Sequence, residues 1–131
     1  MAQKKRPPLT EAELRLMDVV WDKGRATVAE VCGALPKHGA LAYNTVLTIL
    51  RILEDKGYLR HTKAAEGRAF VYRPTVRRET ASRNAVRHLL RRFFGNSAGK
   101  LVLNVLENDE LTGEELQRIR KLVKPEDKEE Q

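Results

Sequence analysis

Residues 43–58, YNTVLTILRILEDKGY, constrain this chain more tightly than any other stretch. Wrapped at about 100° per residue, Val46, Ile49, Leu50 and Leu53 fall on one face, with the i, i+3, i+4, i+7 spacing of a helix that packs on a core. Asn44, Thr45, Thr48 and Arg51 fall on the opposite side. Glu and Lys, the usual filler of a solvated helix face, come only at the end, at Glu54 and Lys56. A helix is therefore expected from Tyr43 to about Lys56, stopped by Gly57. One side must be buried. The other is short, polar and almost uncharged, which gains little from solvation and suits close approach to a surface of hydrogen-bonding edges.

The flanking sequence supplies partners for the buried stripe. Thr10 with Glu13, and Thr27 with Glu30, have the spacing of capping boxes, in which each side chain satisfies an exposed backbone N–H of a helix start. The first opens a helix with Leu14, Met17 and Trp21 at helical spacing, ended by Gly24; the second precedes Val28, Val31, Cys32 and Leu35. Pro36, His38 and Gly39 then break the chain. After Gly57, LRHTKAAEGRAFVYRP reads as two strands, Leu59–Lys63 and Ala69–Arg73, around an AAEG turn. Phe70 and Tyr72 alternate to one side, and Pro74 closes the second strand, while Arg25 to Thr27 can add a third short one. Three helices and a hairpin make a mostly α fold with a small β-wing, a winged helix-turn-helix, over residues 9–74, preceded by a flexible basic arm at 1–8.

Beyond Pro74 the character changes. Residues 76–94 read as a helix with Val86, Leu89, Leu90 and Phe93 on one face and arginines elsewhere. GNSAG breaks it, LVLNVL (with Leu101 and Leu103) is a short apolar segment, and a third capping box, Thr112 with Glu115, precedes Leu116, Ile119, Leu122 and Val123. These elements are too few to fold around a core of their own. An apolar face without an internal partner points to a second copy, so residues 75–124 read as a helical dimerisation element, with a disordered acidic tail at 125–131.

Charge narrows the class of partner. Residues 1–100 hold 20 Lys/Arg against 9 Asp/Glu, whereas residues 101–131 hold 5 against 9. A basic front and an acidic end suggest a polyanion-binding portion joined to one with another task. Enzymatic chemistry finds no support: His38, His61 and His88 are scattered without metal-ligand spacing, and there is no phosphate-cradling Gly motif or nucleophile elbow. Neither a metal nor a cofactor is expected. The single cysteine, Cys32, cannot form an internal disulfide, MAQKKRPPLT does not read as a secretory signal, and no apolar run approaches the ~20 residues of a membrane span. A cytoplasmic protein without membrane insertion is the expectation. Duplex DNA is the partner the residues fit: Tyr43, Asn44, Thr45 and Thr48 sit where a recognition helix meets base edges, and Arg51, Arg60, His61, Lys63 and Arg68 can hold phosphates. Two other readings remain open on residues alone, a DNA-coating protein without sequence preference and a winged helix used to dock a protein.

The run LTEAELRLMDVVW, then TVAEV, AYNTVLTILRILEDKGYL, GRAFVYRP and LVLNVLENDELTGEEL resembles the penicillinase and methicillin-resistance repressors, the BlaI/MecI family, from about Leu9 to Val123. The resemblance implies a homodimeric winged-helix repressor of a palindromic operator, of the kind that silences β-lactamase-type antibiotic-resistance genes. It implies release through a membrane sensor-protease system that leads to a cut after an Asn in the C-terminal element, here Asn104–Val105. This chain has Val where the family pattern has Phe. A copper-responsive branch uses paired cysteines near the C-terminus, and this chain has none.

Overall fold

The computed structural model describes residues 6–123. The chain forms α1 (Glu11–Lys23), α2 (Val28–Ala34), α3 (Tyr43–Asp55), β1 (Leu59–Lys63), β2 (Phe70–Pro74), α4 (Arg78–Phe93), α5 (Ala98–Asn108) and α6 (Gly113–Leu122). It divides into two compact units, residues 1–88 and 89–131.

In the first unit α1, α2 and α3 close around one core and the β1–β2 hairpin covers its open side. Leu16, Met17 and Val20 from α1, Val28 and Val31 from α2, and Val46, Leu50 and Leu53 from α3 are buried together with Leu59 and Tyr72 of the hairpin. The stripe expected on α3 is the buried one, with Ile49 half-buried at its border. On α1 the core face is turned from the expected one: Leu14 is 42% exposed, and Leu16 and Val20 take the interior. The hairpin is antiparallel, with Arg60 opposite Arg73 and His61 opposite Tyr72. The third strand is reduced to one bridge, Ala26 to Tyr72. β2 begins one residue later than expected and includes Pro74.

Both capping boxes of this unit form. Thr10 and Thr27 accept from the backbone of Glu13 and Glu30, whose carboxylates accept from the two threonine N–H groups in return. Glu13 does a second job: buried at the α1–α3 contact, its Oε1 lies 2.7 Å from Lys56 Nζ at the end of α3. Burial pushes the Glu13 carboxyl up, but the Lys56 and Thr10 hydrogen bonds outweigh it and hold the group below its ordinary value. Gly57 then turns the chain with φ 91°, a left-handed conformation that a Cβ would strain.

Two boundaries differ from the sequence expectation. Residues 6–8, assigned to a free arm, are tied to the α3–β1 corner: Arg6 Nε donates to Gly57 O at 2.8 Å, Tyr58 Oη to Pro7 O at 2.6 Å and Lys56 Nζ to Pro8 O at 3.0 Å. The rest of the arm and the acidic tail expected at 125–131 lie outside the described residues. The winged-helix unit also does not end at Pro74. Val76 and Ala81 belong to the same buried core, Trp21 Nε1 donates to Val76 O at 2.8 Å, and the Arg78 guanidinium lies over the Trp21 ring and 2.8 Å from Asp22. The start of α4 is thus part of the first unit, because its first turn closes the side of α1.

In the second unit Gly95 and Asn96 turn the chain with φ 55° and 64°, so GNSAG breaks the helix as expected. LVLNVL, expected as a short apolar segment, is the middle of the eleven-residue α5. Ser97 caps α5, and Thr112 and Glu115 form the third box, at the start of α6. Neither α5 nor α6 buries a residue.

Candidate nucleic-acid interface

The outward side of α3 is organised as the spacing requires. Asn44, Thr48 and Arg51 lie within about 60° of one another around the helix, with Thr45 and Tyr43 on either flank, and all five side chains are exposed. Val46, Leu50 and Leu53 hold the helix from behind with no exposed surface, so the outward side is presented from a packed support. Tyr43 is 55% exposed and is not part of the core. Ala42 supplies no side-chain cap and the first turn contains no acid, which leaves the positive end of the helix dipole open to an anion. Thr48 is partly committed: its hydroxyl donates to Asn44 O at 2.9 Å, so it can meet a base by accepting or through its methyl group.

The flanking cations are open to solvent. Arg51 on α3, Arg60 and Lys63 on β1, and Arg68 in the turn between the strands are exposed, and none forms an ion pair among the described residues. His61 does not join them. Its Nδ1 lies 2.7 and 2.9 Å from the two carboxylate oxygens of Glu54, and its ring is 4.4 Å from that of Phe70. This contact straps β1 to the end of α3. Alternation along β1 places His61 on the side of the hairpin that faces the helices, and this is the physical reason.

In the second unit and at the end of α4 most of the expected apolar residues are exposed. Leu89 and Leu116 sit near 38% and 37%, Leu103 at 57%, Val123 at 65%, Phe93 at 69% and Leu122 at 78%. Val86 is also exposed, and Leu90, Leu101 and Ile119 are half-buried. Val102 and Leu106 of α5 carry exposed apolar surface too. Sequence reading passed over them because it treated LVLNVL as a segment and not as a helix with faces. Asn104 is exposed and Val105 half-buried, both inside α5, and Asn108 Nδ2 donates to Asn104 O at 2.8 Å. Among the described residues no helix is long and apolar enough to cross a membrane.

The sequence profile described as penicillinase repressor matches residues 9–125. A penicillinase repressor from Bacillus licheniformis is 36% identical over 120 residues, which cover 92% of each chain. The chain belongs to the penicillinase repressor family. More distant members include the methicillin resistance regulatory protein MecI of Staphylococcus aureus (strain N315), 20% identical over 88% of this chain and 92% of that one. Among solved structures, the monomeric form of Bacillus licheniformis BlaI in complex with the blaP half-operator is similar, with 38% identity, a TM-score of 0.48, and coverage of 59% of this chain and 92% of that chain. Membership spans both units, so the wing, α3 and the exposed α5 and α6 all lie within the family's sequence pattern.

Proposed function

We propose that this chain is a cytoplasmic, sequence-specific transcriptional repressor that binds a palindromic duplex-DNA operator as a homodimer. One observation carries the reading: α3 is clamped by a fully buried stripe and turns an exposed, nearly neutral face of Asn44, Thr45 and Thr48 outward, with exposed cations on α3 and the hairpin that form no ion pair among the described residues. Such a face can enter the major groove without repulsion or a desolvation penalty from charge, and Asn44 has the amide that pairs bidentately with adenine. Tyr43 would pack at the groove edge. Arg51, Arg60, Lys63 and Arg68 would grip the backbone and set the register without reading sequence. The names of the relatives, penicillinase and methicillin-resistance repressors, make antibiotic-resistance genes the first targets to test.

The apolar surface at Val86, Leu89, Leu90 and Phe93, and on α5 and α6, would be covered by a second copy. A dimer offers two α3 faces to half-sites about one helical turn, roughly 34–36 Å, or a multiple apart. Each half-site then gains from the effective concentration created by the other. Release would follow a cut at Asn104–Val105 by the sensor-protease system the family resemblance implies. The bond lies inside α5, so a protease that takes an extended substrate must first open that helix. Cutting there would remove α6 and split the dimer surface while leaving the winged helix intact.

The test is operator binding by variants. Asn44→Ala and Thr45→Ala should each weaken binding by about 1–3 kcal/mol and relax preference at particular base pairs. Arg51→Ala should weaken specific and random duplexes alike and lower the salt slope by about one. Equal losses on operator and random DNA for all three would refute groove reading by α3 and leave a coating protein.

A further inference from the structure

A second basic site lies on the other face of the hairpin. Tyr72 and His61 point toward the helices, so Val71 and Arg73 alternate to the outer side. The Ala26–Tyr72 bridge brings Arg25 beside Arg73, and β1 pairing puts Arg60 on its other side. Three arginines thus neighbour one another across adjacent strands, an arrangement that costs stability when uncompensated. Between the bridge, the start of α2 and the end of β1 opens a cleft of about 690 Å³ lined by Lys23, Arg25, Lys63 and Arg73, with Glu30 the single acid. Among the described residues none of the four cations forms an ion pair. Arg73 Nε is buried without a hydrogen-bond partner. Glu30 offsets the charge only in part: its carboxyl is held below the ordinary value mainly by the Thr27 backbone hydrogen bond and further by Lys23 and Arg25, which leaves one acid against four cations.

We propose that this cleft binds a small diphosphate-bearing molecule. Cross-strand neighbours stand about 4.5–5.5 Å apart at Cβ, so the Arg25 and Arg73 guanidinium groups can each take one of two adjacent phosphoryl groups. The planar fork of Arg suits such an oxyanion, and the half-buried Arg73, whose Nε is buried with no hydrogen-bond partner among the described residues, gains from one. The volume falls in the range of small-molecule sites. Val71 and Arg73 of the lining lie on the outer side of the hairpin, away from the His61–Glu54 strap to α3, and the cleft shares only Lys63 with the cations assigned above to the DNA backbone. The inference does not depend on the DNA reading.

The test is calorimetric titration of the full chain with inorganic pyrophosphate at about 0.15 M salt, where exposed charges are screened beyond ~8 Å. Saturable binding of one pyrophosphate per chain is expected. Arg25→Gln and Lys23→Gln, both at the exposed rim, should weaken it about tenfold each, the loss of a charge-assisted contact; Arg73→Lys should do the same if it folds, and Asn44→Ala should leave it unchanged. No saturable binding would overturn the proposal, as would binding that survives both rim substitutions. So would rim variants that lower affinity for every duplex while the parent chain ignores pyrophosphate, which would make the cleft a DNA-backbone contact.

Discussion

Cutting the chain after residue 75 or after residue 88 should give two very different proteins. The shorter piece keeps every helix and strand of the winged helix as the sequence outlines it, yet it loses Val76, Ala81 and Arg78. Val76 is 8% exposed and Ala81 9%; burying a Val side chain contributes about 1.5–3 kcal/mol and a methyl about 0.8 kcal/mol. The Trp21 Nε1 hydrogen bond to Val76 O adds about 0.5–1.5 kcal/mol. Arg78 with Asp22 is an exposed, solvent-screened pair and adds little. Discounting for contacts the unfolded chain already keeps, the 1–88 fragment should be more stable than 1–75 by about 3–5 kcal/mol. Against a typical total of about 5–15 kcal/mol, this decides whether the shorter fragment folds at all. With a urea slope of about 1–2 kcal/mol/M, the midpoints followed by far-UV circular dichroism should differ by about 1.5–5 M. Equal midpoints would show that the α4 start is an appendage and that the first unit closes at Pro74.

Two further outcomes follow from the structure. Glu13→Gln should cost about 1–3 kcal/mol at pH 7, since the pair with Lys56 is mostly shielded from solvent; because the folded-state carboxyl is held below 4.5, that stability is present above pH 4.5 and fades as pH falls through the lower folded value. Chemical denaturation should therefore separate parent and variant at pH 7, and the gap should narrow as the pH is stepped down below 4.5. Phe93→Asp, at a side chain 69% exposed, should leave the thermal unfolding of the first unit unchanged and convert a sedimenting dimer to monomer at micromolar concentration; a variant that stays dimeric would place the interface elsewhere.

What could be read from the residues was local. Each capping box is a Thr and a Glu three positions apart, and all three form because both partners lie within one helical turn. The buried side of α3 was legible because apolar and polar residues separate cleanly around it. α1 was not, since Leu14, Leu16, Met17, Val19, Val20 and Trp21 surround most of the helix, and only packing against α3 selects which of them go inside. The candidate site divides the same way. Exposure of Asn44, Thr45 and Arg51 follows from periodicity, but the Thr48 hydroxyl turning back on Asn44 O and His61 meeting Glu54 depend on rotamers and on the hairpin folding over α3. The Arg25–Arg73 cleft depends on a bridge between residues 46 apart, Ala26 and Tyr72, and no local pattern announces it.

The long-range contacts that sequence could not show converge on one end of α3. Lys56 is held by Glu13 of α1 and by Pro8 O, Gly57 O accepts from Arg6 and from Thr75, Tyr58 donates to Pro7, and Glu54 takes His61. The opposite end, from Ala42 to Thr48, has no side-chain cap, no acid and no such anchors among the described residues. A helix clamped at its C-terminal end and along its apolar stripe, with its N-terminal polar residues outward, has few degrees of freedom left to lose when it meets a rigid surface. That division lowers the backbone part of the ordering cost of association, while each exposed side chain immobilised still costs about 0.5–1.5 kcal/mol. It also makes the clamp a lever on affinity: loosening Lys56 or Arg6, neither of which lies on the outward face of α3, should weaken DNA binding through the pose of the helix and not through lost contacts.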